Sequence, residues 1–282
     1  MTKTMAWFPN GCALNSKDPM TAVLSAANNK LNYTVVEDRL DADVAVIWSV
    51  LWHGRMASNQ AVYNHYISQG KPVIVIDVGA VRRNVTWKLA VNHINARGYY
   101  GHEENLDLDR PAKLGVSLAP QTKNNGAILI AGQHKKSLQL AMCSQEDWIN
   151  DQIRSIQKVT DRPIVIRSHP RSLLEVTRLV RTGVTHQPPR KVMQSYDDFD
   201  INYGYHAVIN YNSGPGIQAG LAGAQVIVDE SSLAFPISSH VSSIDTWQYT
   251  DRSQWIVNIC HTEYTVDELL NGTWCNRIAS AL

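Results

Sequence analysis

The chain has few cysteines and no strong excess of charge, and both absences exclude classes of protein. Its four cysteines, Cys12, Cys143, Cys260 and Cys275, are far apart and form no CxxC pair. This spacing favours free thiols in a reducing compartment over a disulfide framework. Lysine and arginine (26) nearly balance aspartate and glutamate (25), so the net charge is only +1. A protein dedicated to nucleic acid is usually far more basic.

Long hydrophobic runs are also absent. No stretch approaches the roughly 18 uninterrupted apolar residues that a bilayer-spanning helix requires. The amino-terminal sequence MTKTMAWFPNGCALN has no apolar segment of signal-peptide length. We therefore expect a cytoplasmic protein without a membrane partner.

What the sequence does contain is a regular alternation of short apolar runs with longer amphipathic segments. This pattern predicts βαβ units with parallel sheets. The predicted strands are Met5–Pro9, Tyr33–Glu37, Val44–Ser49, Val73–Asp77, Ala127–Ala131, Ile164–Arg167, Ala207–Asn210 and Val226–Asp229. The predicted helices are Met20–Lys30, Ser58–Gln69, Thr86–Ile94, Gln145–Val159, Leu173–Arg181, Gly216–Ala222 and most of Asp251–Leu282.

These elements form two similar series separated by a polar stretch that ends near Gly126. We predict one Rossmann-like domain at 1–120 and a second at 121–250. Helices at 251–282 are expected to pack back on the first domain. Two such domains imply a cleft, with ligands at the carboxyl ends of the strands.

The segment Arg167-Ser-His-Pro-Arg171 follows a predicted buried strand. Forked guanidinium donors of Arg167 and Arg171 are suited to phosphate oxygens, and His169 can donate to a departing diphosphate. The alternative is a solvated loop in which Ser168 caps a helix.

A glycine-rich turn follows a later strand, in Asn210-Tyr-Asn-Ser-Gly-Pro-Gly216. Free backbone N–H groups at the helix start, with the Ser213 hydroxyl and the small Gly214, predict an anion site. The spacing matches neither G-x-G-x-x-G nor a P-loop, which weakens the dinucleotide and ATP interpretations.

Two further strand ends carry polar residues. Gln133 and His134 follow the first strand of the second series, where Gln133 can bind sugar or phosphate. Asp229 and Glu230 follow the last strand, where a carboxylate can accept hydrogen bonds from ribose hydroxyls. A surface turn is the competing explanation for the two carboxylates.

In the first half, Asp77 ends a predicted strand and can remove the proton of an acceptor hydroxyl. Alternatively it pairs with Arg82 or caps a helix. Trp52 and His53 follow the preceding strand and, with Arg82, can stack on and hold an acceptor base or sugar. Ordinary core packing explains the tryptophan equally well.

No HExxH motif, Cys/His metal set or G-x-S-x-G elbow is present. The two D-x-D sequences, Asp41-Ala-Asp43 and Asp107-Leu-Asp109, do not follow a strand as a metal-dependent transferase requires. We therefore expect metal-independent chemistry and no permanently bound cofactor.

The His-Pro segment at Arg167–Arg171 and the Ser-containing turn about 40 residues later resemble motifs of GT-B glycosyltransferases, including bacterial sialyltransferases and capsule or teichoic-acid polymerases. In those families the motifs hold the phosphates of the donor nucleotide. The resemblance implies a GT-B fold, α/β with two Rossmann-like domains facing a cleft. It also implies that the domain at 1–120 binds the acceptor and that the domain at 121–250 binds the nucleotide-sugar.

A broader resemblance links most of the chain to glycosyltransferase-like proteins of tailed phages. The residues that carry it are Asp77, Arg82, Trp87, Asn92, Asp109-Arg110, Pro120, Gly132-Gln133, Arg162-Pro163, His169-Pro170, Trp255, Glu268, Gly272 and Trp274.

This resemblance implies transfer of glucose or arabinose from a UDP-sugar to the hydroxymethyl group of 5-hydroxymethylcytosine, or a related base, in phage DNA. The protein would then act in the host cytoplasm. Arg167, His169, Arg171 and Ser213 would hold the diphosphate and Glu230 the ribose. Two alternatives stay open: a GT-B transferase or epimerase acting on surface polysaccharide, and a non-catalytic nucleotide-sugar sensor.

Overall fold

A computed structural model of the chain describes residues 3–123, 126–140, 144–188 and 202–282. The chain divides into two compact units. Unit 1 comprises Met1–Leu114 and Val257–Leu282, and unit 2 comprises Gly115–Ile256. The domain limits predicted at 120 and 250 stay predictions. Cys143 and part of the predicted linker lie outside the described residues, and the other three cysteines are free thiols.

Unit 1 contains a six-stranded sheet in the order β11-β5-β4-β3-β1-β2. Its first four strands in the sequence are parallel, whereas β5 and β11 extend the sheet in antiparallel pairing. The strands are β1 (Thr4–Trp7), β2 (Thr34–Glu37), β3 (Val44–Trp48), β4 (Val73–Val78), β5 (Trp87–Val91) and β11 (Glu263–Tyr264).

Two helices of unit 1 have recognisable capping residues. The residue after α1 is Asn32 in the left-handed region (φ 56°), and α7 begins with a capping box between Thr265 and Glu268. The helices are α1 (Lys17–Leu31), α2 (Asn59–Ser68), α3 (Arg110–Lys113), α7 (Val266–Asn271) and α8 (Cys275–Ile278). The helix α6 (Ser253–Cys260) contains the division between the units.

Unit 2 contains a wholly parallel five-stranded sheet in the order β10-β9-β6-β7-β8. The strands are β6 (Ile128–Ala131), β7 (Ile164–Arg167), β8 (Val184–Gln187), β9 (Ala207–Asn210) and β10 (Gln225–Val228), and the helices are α4 (Gln145–Gln157) and α5 (Gly214–Leu221). The apolar stripe predicted on α4 is confirmed, because Ile149, Ile153 and Ile156 are buried in the core against the sheet.

The prediction of a helix at Thr86–Ile94 is wrong, because these residues contain the strand β5. Trp87, Leu89 and Val91 pack into one hydrophobic core, while Lys88 lies on the opposite face of the sheet. This alternation has the period of two that a strand requires, and pairing with two neighbouring strands satisfies the backbone.

The prediction of a helix at Leu173–Arg181 is also wrong. A single 3-10 turn, Val176–Arg178, forms there, and of this segment only Leu174 and Leu179 are buried. Two buried positions five residues apart do not make the continuous stripe that docks a helix. The strands β8 and β11 were not predicted, and β11 interrupts a carboxyl-terminal segment that was expected to be helical.

Candidate functional site

Residues that follow four parallel strands of unit 2 meet at one edge of its sheet, since parallel strands end on the same side. The loops after β6, β7, β9 and β10 carry the groups that the sequence singled out. The edge therefore brings most of the predicted donor-binding residues into one region of this unit.

A chain of hydrogen bonds joins the ends of β6, β9 and β10. The side-chain amide of Gln133 donates to Asn212 Oδ1 at 3.0 Å, and Asn212 Nδ2 donates to Ser231 Oγ at 2.8 Å. The Ser231 hydroxyl in turn donates to the carboxylate of Asp229. Gln133, Asn212 and Ser231 are each at least nine-tenths buried. Buried polar groups that satisfy one another in this way are held in fixed positions.

The turn between β9 and α5 is organised by Asn210. Its side-chain Oδ1 accepts from the N–H of Ser213 at 2.8 Å, and its Nδ2 donates to the carbonyl of Ala131 at 3.0 Å. The N–H of Gly216 donates to the carbonyl of Ser213, and Pro215 has no N–H. The row of free N–H groups expected here is therefore reduced, leaving Gly214 as the first-turn N–H without a partner among the described residues.

Two imidazole rings lie together where β6 and β7 end. The ring centroids of His134 and His169 are 5.2 Å apart, with the planes at 78°. The Nδ1 of His134 accepts from the N–H of Lys136, and the Nδ1 of His169 accepts from the N–H of Arg171, each at 3.1 Å. A ring nitrogen that accepts carries no proton, so each ring holds its proton on Nε2. The pair therefore carries two Nε2–H donors, of which that of His134 is buried.

Arg167 is directed into its own unit. Only 8% of the residue is exposed, and its guanidinium donates to the carbonyl of Asn202 at 3.1 Å and to the hydroxyl of Tyr205 at 3.2 Å. The same group lies over the rings of Tyr203 and Tyr205. Through these contacts the guanidinium of Arg167 stabilises the segment that leads into β9. Arg171 is half-buried two residues beyond His169.

Glu230, predicted to bind ribose, is exposed in the turn after β10. The residue before it, Asp229, is the carboxylate that joins the buried network. The sequence offers both carboxylates at this strand end, and the prediction favoured the second. Asn212, the centre of the network, lies in the glycine-rich turn and had no predicted role. The sequence around an asparagine at a strand end does not indicate which distant side chains it will bond to.

In unit 1, Asp77 is half-buried near the end of β4. One carboxylate oxygen accepts from the Ser49 hydroxyl at 2.9 Å and the other from the N–H of Val78 at 2.7 Å. Ser49 follows β3 in the left-handed region (φ 61°). Two hydrogen bonds orient this carboxylate at the edge where ligands of parallel sheets bind.

The other predicted residues of unit 1 are more dispersed. Trp52 packs against Tyr63, with ring centroids 5.6 Å apart, and His53 is exposed. Arg82 is exposed as well, and its guanidinium donates to the carbonyl of Leu114 at 2.8 Å. The structure thus places these three residues in the loops after β3 and β4, where Trp52 and Arg82 contact different neighbours.

Among the described residues, no group of three or more His, Cys, Asp or Glu side chains is arranged to hold a metal ion. Across the same part of the chain, no helix combines the length and apolar character needed to cross a membrane.

No protein-family model matches the chain, and no curated protein matches it. The solved structures that are similar to it over nearly its whole length include two transferases. The KpsC beta Kdo 2,4 transferase of Thermosulfurimonas dismutans has a TM-score of 0.54 at 12% identity, covering 97% of this chain and 98% of that chain. The KpsC beta Kdo 2,7 transferase of the same organism has a TM-score of 0.52 at 12% identity, covering 96% and 100%.

At this identity the likeness shows the fold. The chain has the GT-B fold, with two Rossmann-like α/β units, and the predicted fold class is thereby confirmed.

Proposed function

We propose that this chain is a glycosyltransferase whose nucleotide-activated sugar binds at the carboxyl edge of the unit 2 sheet. The observation that carries the proposal is the paired Nε2–H donors of His134 and His169, set in a GT-B fold. Such a fold hosts many functions, so the assignment depends on this site rather than on the architecture.

The chemistry at this edge suits a departing phosphate. When the bond from the anomeric carbon to the nucleotide breaks, negative charge develops on a phosphate oxygen. Imidazole N–H groups held in place by backbone hydrogen bonds stabilise that charge without reorganising. The N–H of Gly214 at the start of α5 supplies a further donor. The Ser213 hydroxyl donates to Asn210 Oδ1 at 3.2 Å and stays a proposed contact of the donor. Arg171, Gln133 and Glu230 stay proposed donor contacts, and Arg167 acts in this scheme mainly by bracing the edge.

The acceptor half of the proposal places Asp77 as the base that removes the proton of an acceptor hydroxyl. Following the sequence resemblance, the acceptor is the hydroxymethyl group of 5-hydroxymethylcytosine, or a related base, in DNA, and the donor is a UDP-sugar. A base in duplex DNA must be flipped out to be reached, which costs a few kcal/mol. Trp52, His53 and Arg82 are its proposed contacts.

A second candidate acceptor is a saccharide hydroxyl. It is favoured by the names of the two similar structures, both of which are Kdo transferases. In this case the donor and the acceptor are both carbohydrate-based, and duplex DNA has no part in the reaction.

The deciding experiment incubates the protein with UDP-, GDP- and CMP-activated sugars and two acceptors. The acceptors are DNA containing 5-hydroxymethylcytosine and a mixture of oligosaccharides. Mass spectrometry of the digested nucleosides and of the oligosaccharides detects an added sugar. A modified nucleoside supports the DNA acceptor, and an extended oligosaccharide supports the second candidate. Nucleotide-sugar binding by calorimetry without turnover would instead indicate a sensor, and absence of binding would contradict the proposal.

A further inference from the structure

Three charged residues stand side by side across the unit 1 sheet. In the antiparallel pairing, Asp77 of β4 is opposite Lys88 of β5, and Lys88 is opposite Glu263 of β11. Directly paired residues project from the same face of a sheet. The three residues therefore share one face of the sheet, at the end where β3 and β4 finish, and Lys88 forms no ion pair with either carboxylate.

Glu263 is already fully engaged. It is completely buried, and its carboxylate accepts from the N–H of Ala80 at 2.7 Å, from the N–H of Val81 at 3.0 Å and from the hydroxyl of Thr86 at 2.6 Å. Gly79 makes this possible, because a Cβ there would stand 2.4 Å from a Glu263 oxygen. These bonds give Glu263 a structural role in holding the loop after β4.

Lys88 has no such engagement. Only 7% of the residue is exposed, and none of the hydrogen bonds and ion pairs among the described residues involves its ammonium group. The aliphatic part of this lysine is buried, whereas its ammonium nitrogen is not among the buried polar atoms of the described residues and so reaches solvent. Strand register therefore fixes the position of Lys88, but no described residue accepts a hydrogen bond from its ammonium group.

Tyr100 is the second group of this kind. Its hydroxyl is buried without a hydrogen-bond partner among the described residues. Burial raises the pKa of Tyr100 well above its usual value, and the carboxylates of Glu263 and Asp77 raise it further. The hydroxyl thus keeps its proton and stays a donor in the neighbourhood of both carboxylates.

We propose that Lys88 and Asp77 together bind the acceptor hydroxyl of the glycosyl transfer, with Tyr100 as an additional donor. This inference rests on the proposed function. Lys88 donates to the hydroxyl oxygen while Asp77 accepts its hydrogen. A hydroxyl is both donor and acceptor and fits such a pair, whereas an anionic ligand would be repelled by the two flanking carboxylates.

The step balances without a further reactant. The acceptor O–H bond breaks and its proton passes to the Asp77 carboxylate. The oxygen forms a bond to the anomeric carbon of the donor sugar, and the bond from that carbon to the nucleotide phosphate breaks. Its electron pair leaves with the phosphate. Throughout, Lys88 and Tyr100 hold the attacking oxygen and stabilise the charge that develops on it.

The test compares Lys88→Met and Tyr100→Phe with Lys17→Met, which removes an exposed lysine from α1 of the same unit. We expect Lys88→Met to reduce transfer to the acceptor about 100-fold, as loss of a donor to a developing oxyanion does. Tyr100→Phe removes one hydroxyl that has no protein partner among the described residues, so the fold should be kept while transfer falls about tenfold. Lys17→Met should transfer at the wild-type rate.

Donor affinity, measured by calorimetry with the nucleotide-sugar, distinguishes a defect in acceptor binding from a defect in donor binding. It should be unchanged in all three variants, because unit 2 supplies the donor contacts. Wild-type transfer together with undiminished transfer by Lys88→Met and Tyr100→Phe would overturn this inference alone. If the wild-type protein transfers no sugar to any acceptor, the proposed function is at fault and this inference falls with it.

Discussion

The carboxyl edges of the two sheets are built differently. In unit 2, many polar groups bond to one another: Gln133 to Asn212, Asn210 to Ser213, and Arg167 to Tyr205. The carboxamide of Gln145, beside Gly132, is buried at this edge without a hydrogen bond among the described residues. In unit 1, Asp77 and Glu263 are satisfied, but the charged end of Lys88 and the hydroxyl of Tyr100 are left over among the described residues. Mutual hydrogen bonds fix many side chains of the unit 2 edge, whereas Lys88 and Tyr100 in unit 1 are donors that a ligand can engage.

The difference follows from strand direction. The five strands of unit 2 are parallel, so its edge is made of the loops after the strands. In unit 1, the antiparallel strands β5 and β11 add residues from within strands, and these residues are fixed by register to face one another. The first arrangement suits a leaving group whose charge must be met by preset dipoles, and the second suits proton transfer from a hydroxyl.

Among the substitutions that test this difference between the two sheet edges, we expect the largest effect, a loss of kcat, at His169. His169→Asn keeps an acceptor for the N–H of Arg171 but removes the Nε2–H donor. We expect kcat to fall about 100-fold or more, the usual loss when a donor to a developing oxyanion is removed, with little change in melting temperature. Steady-state kinetics with the nucleotide-sugar and acceptor that the wild-type protein uses would measure this.

His240→Ala serves as the control, because His240 is exposed elsewhere in unit 2. Equal activities for His169→Asn and His240→Ala would show that the imidazole pair does not act on the donor phosphate.

The next effect concerns stability in unit 1. Glu263→Gln replaces one carboxylate oxygen with an NH₂ group that cannot accept from the N–H groups of Ala80 and Val81 or from Thr86. We expect the free energy of unfolding to fall by about 2 to 3 kcal/mol, since hydrogen bonds to buried charges are worth this much. Urea unfolding, with Glu37→Gln on the exposed edge of β2 as the control, measures the difference. A loss no larger than that of the control would contradict the structural role of Glu263.

The smallest effect is a pH dependence at the start of α7. Burial alone would raise the pKa of Glu268, but hydrogen bonds from Arg110 and from Thr265 outweigh it and hold the pKa below its ordinary value of 4.5. Arg110 Nη1 lies 2.7 Å from Glu268 Oε1. Because the folded-state pKa is lowered, this pair stabilises the fold above the ordinary pKa, and the contribution is lost as the pH falls through the folded-state value.

Glu268→Gln should therefore lose less stability than the wild type on acidification from about pH 5 to pH 3. Urea unfolding at a series of pH values measures this. Parallel pH profiles for the two proteins would mean that Glu268 titrates in the same way in the folded and unfolded chain.

The sequence predicted the parallel framework well. Eight predicted strands are present within one or two residues of their expected bounds, and Ile149, Ile153 and Ile156 pack as the helical period indicated. Short Val- and Ile-rich runs carry this information because a buried parallel strand must be apolar on both faces. The segment 86–94 is a strand and not the predicted helix. Its apolar residues fit both the helical and the strand period, and pairing with β4 and β11 determines which structure forms.

The candidate site was predictable in part. That polar residues such as Gln133, His169 and Ser213 would meet at one edge followed from their positions after parallel strands. That Arg167 turns towards Tyr205 instead of outwards depends on residues 35 to 38 positions later in the chain.

The sequence by itself determined the class of fold, the location of each strand end and the residue types available there, because local hydrophobic periodicity reports burial directly. The tertiary structure alone decided which of those residues became partners. Glu263 reaches a loop more than 180 residues earlier in the chain, and Lys88 stands beside Asp77 only through strand register. Such contacts have no local signature, because they depend on how distant segments pair and not on the order of neighbouring residues.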